Sequence, residues 1–277
     1  MKYAALAEIA PMFDAFLIDQ FGVLLNGDTA YPWAPNALSK LAALGKPILL
    51  LSNSGRRSAP NAQRLDQFGF ARDSYMMVLS SGEAAHRYFS MRLGDEIPCG
   101  SSIWVHGRGN DTSAVDGLGL TLVEDADEAE FIIIAGSKGD ELSLDDYRDM
   151  LIGAAERGAQ AFCINPDMKM LTKVGQRFGA GRIATLYEEL GGPVHWIGKP
   201  YPLIYEIAKD ILKMPQAARV LCIGDSPDHD IQGGLRAGFE TALVRTGLYA
   251  DLSDGEVEER CRAIGAMPNY VIPSFDM

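Results

Sequence analysis

Nine short apolar runs punctuate the chain. Residues 15–18, 47–51, 76–79, 103–105, 131–135, 161–164, 195–197, 220–223 and 241–244 are rich in Ile, Leu and Val and scarcely alternate with polar positions. That pattern predicts strands covered on both faces. Between them, residues 36–44, 60–68, 82–93, 143–157, 180–190, 201–212 and 230–237 place apolar side chains three and four apart, the period of an amphipathic helix. Strand alternating with helix predicts an α/β fold built on a parallel sheet. Residues 91–193 carry their own strand–helix alternation and a glycine-rich stretch at 107–119. They are expected to form an inserted domain, with 1–90 and 194–277 making a discontinuous core.

Composition narrows the function classes. The chain has 277 residues, 47% apolar and 22% charged, with a net charge of −12. It lacks the basic footprint of a nucleic-acid binder and any polybasic membrane patch. An acidic surface repels anions at long range, so a phosphate ligand would need a local cluster of donors and a cation. No apolar stretch reaches the roughly 18 residues of a membrane span, and the first residues lack a signal-peptide layout. The cytoplasm is the expected location. Cys99, Cys163, Cys222 and Cys261 are far apart in sequence, which predicts buried free thiols.

In open α/β sheets ligands gather at the carboxyl ends of strands, so the polar residues closing each run matter most. Asp19 follows Phe16-Leu17-Ile18 directly; a carboxylate there suits a nucleophile or metal ligand, or else a turn. Ser52-Asn53 follows Ile48 to Leu51 and offers a hydroxyl and backbone N–H groups to a phosphate oxygen, or is an ordinary capped loop. Lys199, between Gly198 and Pro200, could neutralise a transferred phosphoryl group. Gly224-Asp225 closes the 220–223 run, and Asp230 follows at the start of a helix, which it could simply cap. With Asp19, the two acids make an oxygen-rich set suited to Mg²⁺.

The four motifs together resemble the haloacid dehalogenase superfamily. They are Asp19 within Leu17-Ile18-Asp19-Gln20-Phe21-Gly22, Ser52 within Leu50-Leu51-Ser52-Asn53-Ser54, Lys199 within Gly198-Lys199-Pro200, and Asp225 with Asp230. The insert of about 100 residues between the second and third motifs looks like the C2-type cap of the class IIA branch, and so does Asn165-Pro166-Asp167. The resemblance implies a Rossmann-like parallel-sheet core with an inserted α/β cap. It also implies a Mg²⁺-dependent phosphatase of small phosphorylated metabolites, sugar phosphates among them, working through an aspartyl phosphate on Asp19. Mg²⁺ would be held by Asp19, the backbone carbonyl of Phe21 and Asp225, with Asp230 close by. Ser52, Asn53 and Lys199 would hold the phosphoryl group. Asn165 and Asp167, with Arg108 and Lys138, are the cap residues that could face the organic half of a substrate. Cap-mediated homodimers occur in similar proteins.

One position departs from the pattern. Phosphatases of this family carry a second aspartate two residues after the nucleophile, where it protonates the leaving group; here it is Phe21. General acid–base help is worth roughly 10²- to 10⁴-fold. Slow hydrolysis is therefore expected, with two alternatives: an attenuated phosphate-ligand-binding regulatory or scaffold protein, or a phosphotransferase. A metal-independent dehalogenase would leave Asp225 and Asp230 without work. Among the histidines, His229 lies within the motifs, His106 is expected in a cap loop, and His195 is expected to begin a buried strand.

Overall fold

The computed structural model describes residues 1–27, 29–172 and 175–277, and the chain divides into two compact units. The first comprises Met1–Ser52, Ser58–Leu79 and Lys199–Met277. Its sheet runs, in spatial order, Lys2–Tyr3, Tyr270–Ile272, Glu240–Val244, Val220–Gly224, Ala15–Asp19, Ile48–Ser52 and Met77–Ser80. The pairings from Lys2–Tyr3 through Ile48–Ser52 are parallel. The central strands are unalternated because both faces are covered. Phe16, Ile18, Leu50 and Ile223 pack with Leu38 and Leu41 of helix Ala34–Ala42 and Leu65 of helix Ser58–Gln67. Across the sheet, Leu243 packs with Val257 and Cys261 of helix Asp254–Ala263. Register brings the strand ends level: Asp19 pairs with Leu51, one residue before Ser52, and Ile18 pairs with Ile223, two residues before Asp225.

The second unit comprises Asn53–Arg57 and Ser80–Gly198. Five strands form its sheet in the order Val194–Trp196, Gln160–Cys163, Phe131–Ile134, Ser102–His106 and Thr121–Leu122, paired parallel throughout. Tyr147 and Leu151 of helix Leu144–Glu156, and Ile183 and Ala184 of helix Ala180–Glu189, pack with Ile132, Ile134, Ala161 and Cys163. Helix Ser81–Arg92 lies with this sheet too, Phe89 meeting Phe162 edge-on at 4.9 Å. Ser143 and Asp146 form a reciprocal capping box at the start of helix Leu144–Glu156.

Several expectations are corrected. The division falls at 80 and 198 rather than 91 and 193, because the Val194–Trp196 strand bonds to Gln160–Cys163. That strand is an edge of the second sheet, not a buried core strand, and His195 is exposed, its ring stacked on Phe162 at 4.9 Å. His106 is the buried last residue of a strand rather than a loop residue. Cys163, Cys222 and Cys261 are buried free thiols as expected, but Cys99 is exposed. Helix Asp254–Ala263 has no apolar stripe because it buries only Val257 and Cys261; its legible signal was the Ser253–Glu256 capping box. Among the described residues, no helix is long and apolar enough to cross a membrane.

Candidate active site

The first unit gathers five of the predicted residues, Asp19, Ser52, Lys199, Asp225 and Asp230, at the carboxyl edge of its sheet. Asp19 ends the Ala15–Asp19 strand, and Asp225 immediately follows Val220–Gly224. Asp230 lies in the wide helical turn Pro227–Ile231. Its cap is Ser226, whose hydroxyl accepts from the His229 N–H at 3.3 Å, so Asp230 is free of capping duty. Lys199, the first residue of the chain's return to this unit, reaches in from the start of the Lys199–Met277 segment. Its Nζ donates to Asp19 Oδ1 at 2.5 Å and to Asp230 Oδ1 at 2.7 Å. The other oxygen of Asp230 accepts from the Ser226 N–H at 3.2 Å. One carboxylate oxygen from each of Asp19, Asp225 and Asp230 lies within 4.8 Å of the others. Ser52 is buried at the end of the neighbouring strand.

Electrostatics follow from that crowding. Burial raises the Asp19 carboxyl from 3.8 to about 7, with Asp230 pushing the same way and Lys199 pulling it down. Burial, then Asp19 and Asp230, raise Asp225 well above the usual carboxylate range. Burial pulls Lys199 down, but the two carboxylates more than reverse this and keep it an ammonium. Three ionised carboxylates facing one ammonium leave two negative charges uncompensated, which a buried site does not tolerate. A hard divalent cation cancels them, and an all-oxygen donor set is the kind such a cation takes.

Glycines let the carboxylates pack this closely. Gly22 has φ +78°, and a Cβ there would lie 1.9 Å from Asp225 Oδ2. A Cβ on Gly224 would lie 2.1 Å from the carboxyl carbon of Asp230, and one on Gly247 2.1 Å from Asp225 Oδ2. Phe21 stands two residues past Asp19 and is 40% exposed, and the Arg64 guanidinium covers its ring at 4.8 Å from the centroid.

The remaining predicted residues lie in the second unit. Asn53 Nδ2 donates to Asp167 Oδ1 at 2.8 Å, and the Ser81 hydroxyl donates to Asn53 Oδ1 at 3.4 Å. Asn165 Oδ1 accepts from the Asp167 N–H at 3.4 Å. Arg108 makes a two-pronged bond to Asp140 at 2.6 and 2.8 Å. Arg56 pairs with Asp111 and Arg57 with Glu83. His106 Nε2 meets the Tyr147 hydroxyl at 2.7 Å, and that hydroxyl accepts from the Lys138 N–H at 2.9 Å. Burial, then Lys138, pushes His106 down to about 4.

Sequence reasoning missed the segment after the Glu240–Val244 strand. Thr246 Oγ1 donates to the Gly22 carbonyl at 2.5 Å, and the Leu248 N–H donates to Asp225 Oδ2 at 2.8 Å. The strand-end rule that selected Asp19 and Asp225 applied equally to Arg245-Thr246-Gly247, and would have found it.

Residues 16–121 match the family described as haloacid dehalogenase-like hydrolase, and residues 196–276 match a HAD-hydrolase-like family. Chronophin from Mus musculus is 28% identical over 99% of this chain and 95% of its own. The sugar-phosphatase AraL from Bacillus subtilis is 30% identical over 94% of this chain and 89% of its own. A p-nitrophenyl phosphatase from Archaeoglobus fulgidus superposes with a TM-score of 0.75 at 29% identity, covering 95% of this chain and 97% of that one. At that identity and coverage, the chain belongs to the haloacid dehalogenase-like hydrolases.

Proposed function

We propose that the protein is a magnesium-dependent phosphoric monoester hydrolase that acts on a small phosphorylated metabolite through an aspartyl phosphate on Asp19. The observation that carries this reading is the buried Lys199 ammonium bonded to both Asp19 and Asp230, with Asp225 completing the acidic set. Phosphatases among the relatives, including AraL and the Archaeoglobus enzyme, support it.

Mg²⁺ held by Asp19, Asp225 and the Phe21 carbonyl would supply charge neutralisation to the phosphoryl oxygens and favour the ionised form of Asp19. The residues of this chain do the rest. An Asp19 carboxylate oxygen attacks phosphorus, an Asp19 O–P bond forms, and the ester P–O bond breaks with its electron pair going to the leaving oxygen. Ser52 and the following peptide hold the phosphoryl group, and Lys199 balances its charge. Asp230 orients Lys199, since one of its oxygens accepts from Nζ and the other from the Ser226 N–H. Water then attacks the phosphorus of the aspartyl phosphate, releasing phosphate and regenerating the carboxylate.

The leaving oxygen needs a proton, and Phe21 has none to give. Leaving groups that depart readily as anions, such as nitrophenolate, suffer least. This favours slow turnover of alkyl phosphates and a long-lived phospho-enzyme. The same observation supports a second reading, in which the phosphoryl group passes to an acceptor other than water or the site serves mainly to bind a phosphorylated ligand. The test is turnover of p-nitrophenyl phosphate and a panel of phosphate esters with and without Mg²⁺, beside Asp19→Asn. Mg²⁺-dependent turnover that Asp19→Asn abolishes is expected; no metal-dependent turnover across the panel would overturn the hydrolase reading.

A further inference from the structure

We propose that Thr246 is a positioning residue of the cation site, acting through Gly22 on the turn that carries the Phe21 carbonyl. This rests on the reading of Asp19, Phe21 and Asp225 as the cation's ligands. The segment Thr246-Gly247-Leu248 clasps two parts of that site at once. The Thr246 hydroxyl donates to the Gly22 carbonyl at 2.5 Å, and the Leu248 N–H donates to Asp225 Oδ2 at 2.8 Å. Between them, Gly247 has φ +78° and passes so close that a Cβ would lie 2.1 Å from Asp225 Oδ2 and 2.5 Å from the Gly22 Cα. Its own N–H donates to the Tyr31 hydroxyl at 3.2 Å, and Tyr31 stacks on Trp33 at 5.2 Å, which anchors the clasp to the body of this unit.

The consequence for the ligands is geometric. The Gly22 N–H donates to the Leu25 carbonyl at 2.8 Å. In a trans peptide the carbonyl points opposite the N–H, so this bond fixes the direction of the Phe21 carbonyl. Thr246 restrains the far side of the same glycine, which at φ +78° also packs against Asp225 and Gly247. On Asp225, the Leu248 N–H donates to Oδ2 and so restrains the orientation of that carboxylate. Groups that orient metal ligands in this way typically change affinity or activity about 10- to 100-fold when removed.

The experiment compares wild type, Thr246→Val, Thr246→Ala and Thr246→Ser. Mg²⁺ is titrated against thermal unfolding, and separately against p-nitrophenyl phosphate turnover. Both Thr246→Val and Thr246→Ala are expected to raise the half-saturating Mg²⁺ concentration by about 10-fold or more in both titrations. Thr246→Ser, which keeps the hydroxyl, is expected to stay within about twofold of wild type, and the KM for the ester at saturating Mg²⁺ should move little in every variant. An unchanged Mg²⁺ half-saturation in Thr246→Val would overturn the proposal. So would failure of both Thr246→Val and Thr246→Ala to fold at any Mg²⁺ concentration, since the hydroxyl would then belong to the fold rather than to the ion. Mg²⁺-dependent stabilisation of wild type without turnover would sink the hydrolase reading while leaving Thr246 to be judged on the unfolding titration. Wild type that ignores Mg²⁺ in both titrations would sink the cation site and this inference together.

Discussion

Replacing Phe21 by Asp places a carboxylate two residues past Asp19, where the proposed hydrolase lacks a proton donor. The structural cost can be bounded. Phe21 is 40% exposed, so truncating it forfeits part of the roughly 1.5–3 kcal/mol that full burial of such a side chain is worth. It also loses the stacking of Arg64 on the ring, worth about 0.5–1 kcal/mol at a partly exposed site. A new ion pair with Arg64 returns about 0–1 kcal/mol. The net loss is about 1–2 kcal/mol, a fall in Tm of roughly 2–8 °C for a chain of this size, and the variant should fold. The catalytic gain is bounded by the roughly 10²- to 10⁴-fold worth of general acid–base help. Arg64 would hold the new carboxylate ionised and partly occupied, so a gain of about 10²-fold on an alkyl phosphate is expected, at the low end of that range. The gain should be smaller on p-nitrophenyl phosphate, whose leaving group departs without a proton. The assay is steady-state turnover of both esters at saturating Mg²⁺, with rapid-quench measurement of the phospho-enzyme, which should be shorter-lived in the variant. A folded Phe21→Asp with no gain on the alkyl ester would refute the argument that proton transfer limits this site.

Three further outcomes follow from the geometry. Asp19 is raised from 3.8 to about 7 in the metal-free fold, so the native state binds more protons than the unfolded chain between those values, and stability from this group falls as pH rises through that window. Asp225 is raised in the same direction; Mg²⁺ should therefore lift Tm more at pH 8 than at pH 5, and an equal lift at both would contradict the charge argument. Gly22→Ala and Gly69→Ala both force a Cβ onto a positive φ, at about 1–2 kcal/mol each. Only Gly22→Ala collides with Asp225, so denaturation should show a larger loss and a blunted Mg²⁺ response for that variant alone. Tyr147→Phe removes the partner of both His106 Nε2 and the Lys138 N–H in a buried setting, and urea denaturation should register a loss of about 1–3 kcal/mol; a loss below measurement error would mean these groups find other partners.

Much of the molecule was legible along the chain because its central strands are buried on both faces. The runs at 15–18, 48–51 and 220–223 have no solvent side to impose alternation, so apolar continuity marks them, and the acids and hydroxyl that end them stand out. The order of acid, hydroxyl, lysine and acidic pair along the chain named the family and the chemistry class before any contact was known. What the chain could not reveal depends on pairing between distant segments. Whether the 195–197 run served a core or a second sheet was settled by its bonds to Gln160–Cys163, an edge position that leaves His195 exposed. That Asp167 meets Asn53, that the two oxygens of Asp230 divide between Lys199 and Ser226, and that Thr246 and Leu248 hold Gly22 and Asp225 are facts of tertiary structure. Local patterning reflects burial, which each residue experiences for itself, whereas a hydrogen bond between residues 22 and 246 exists only once the parallel sheet has brought their strand ends to one edge.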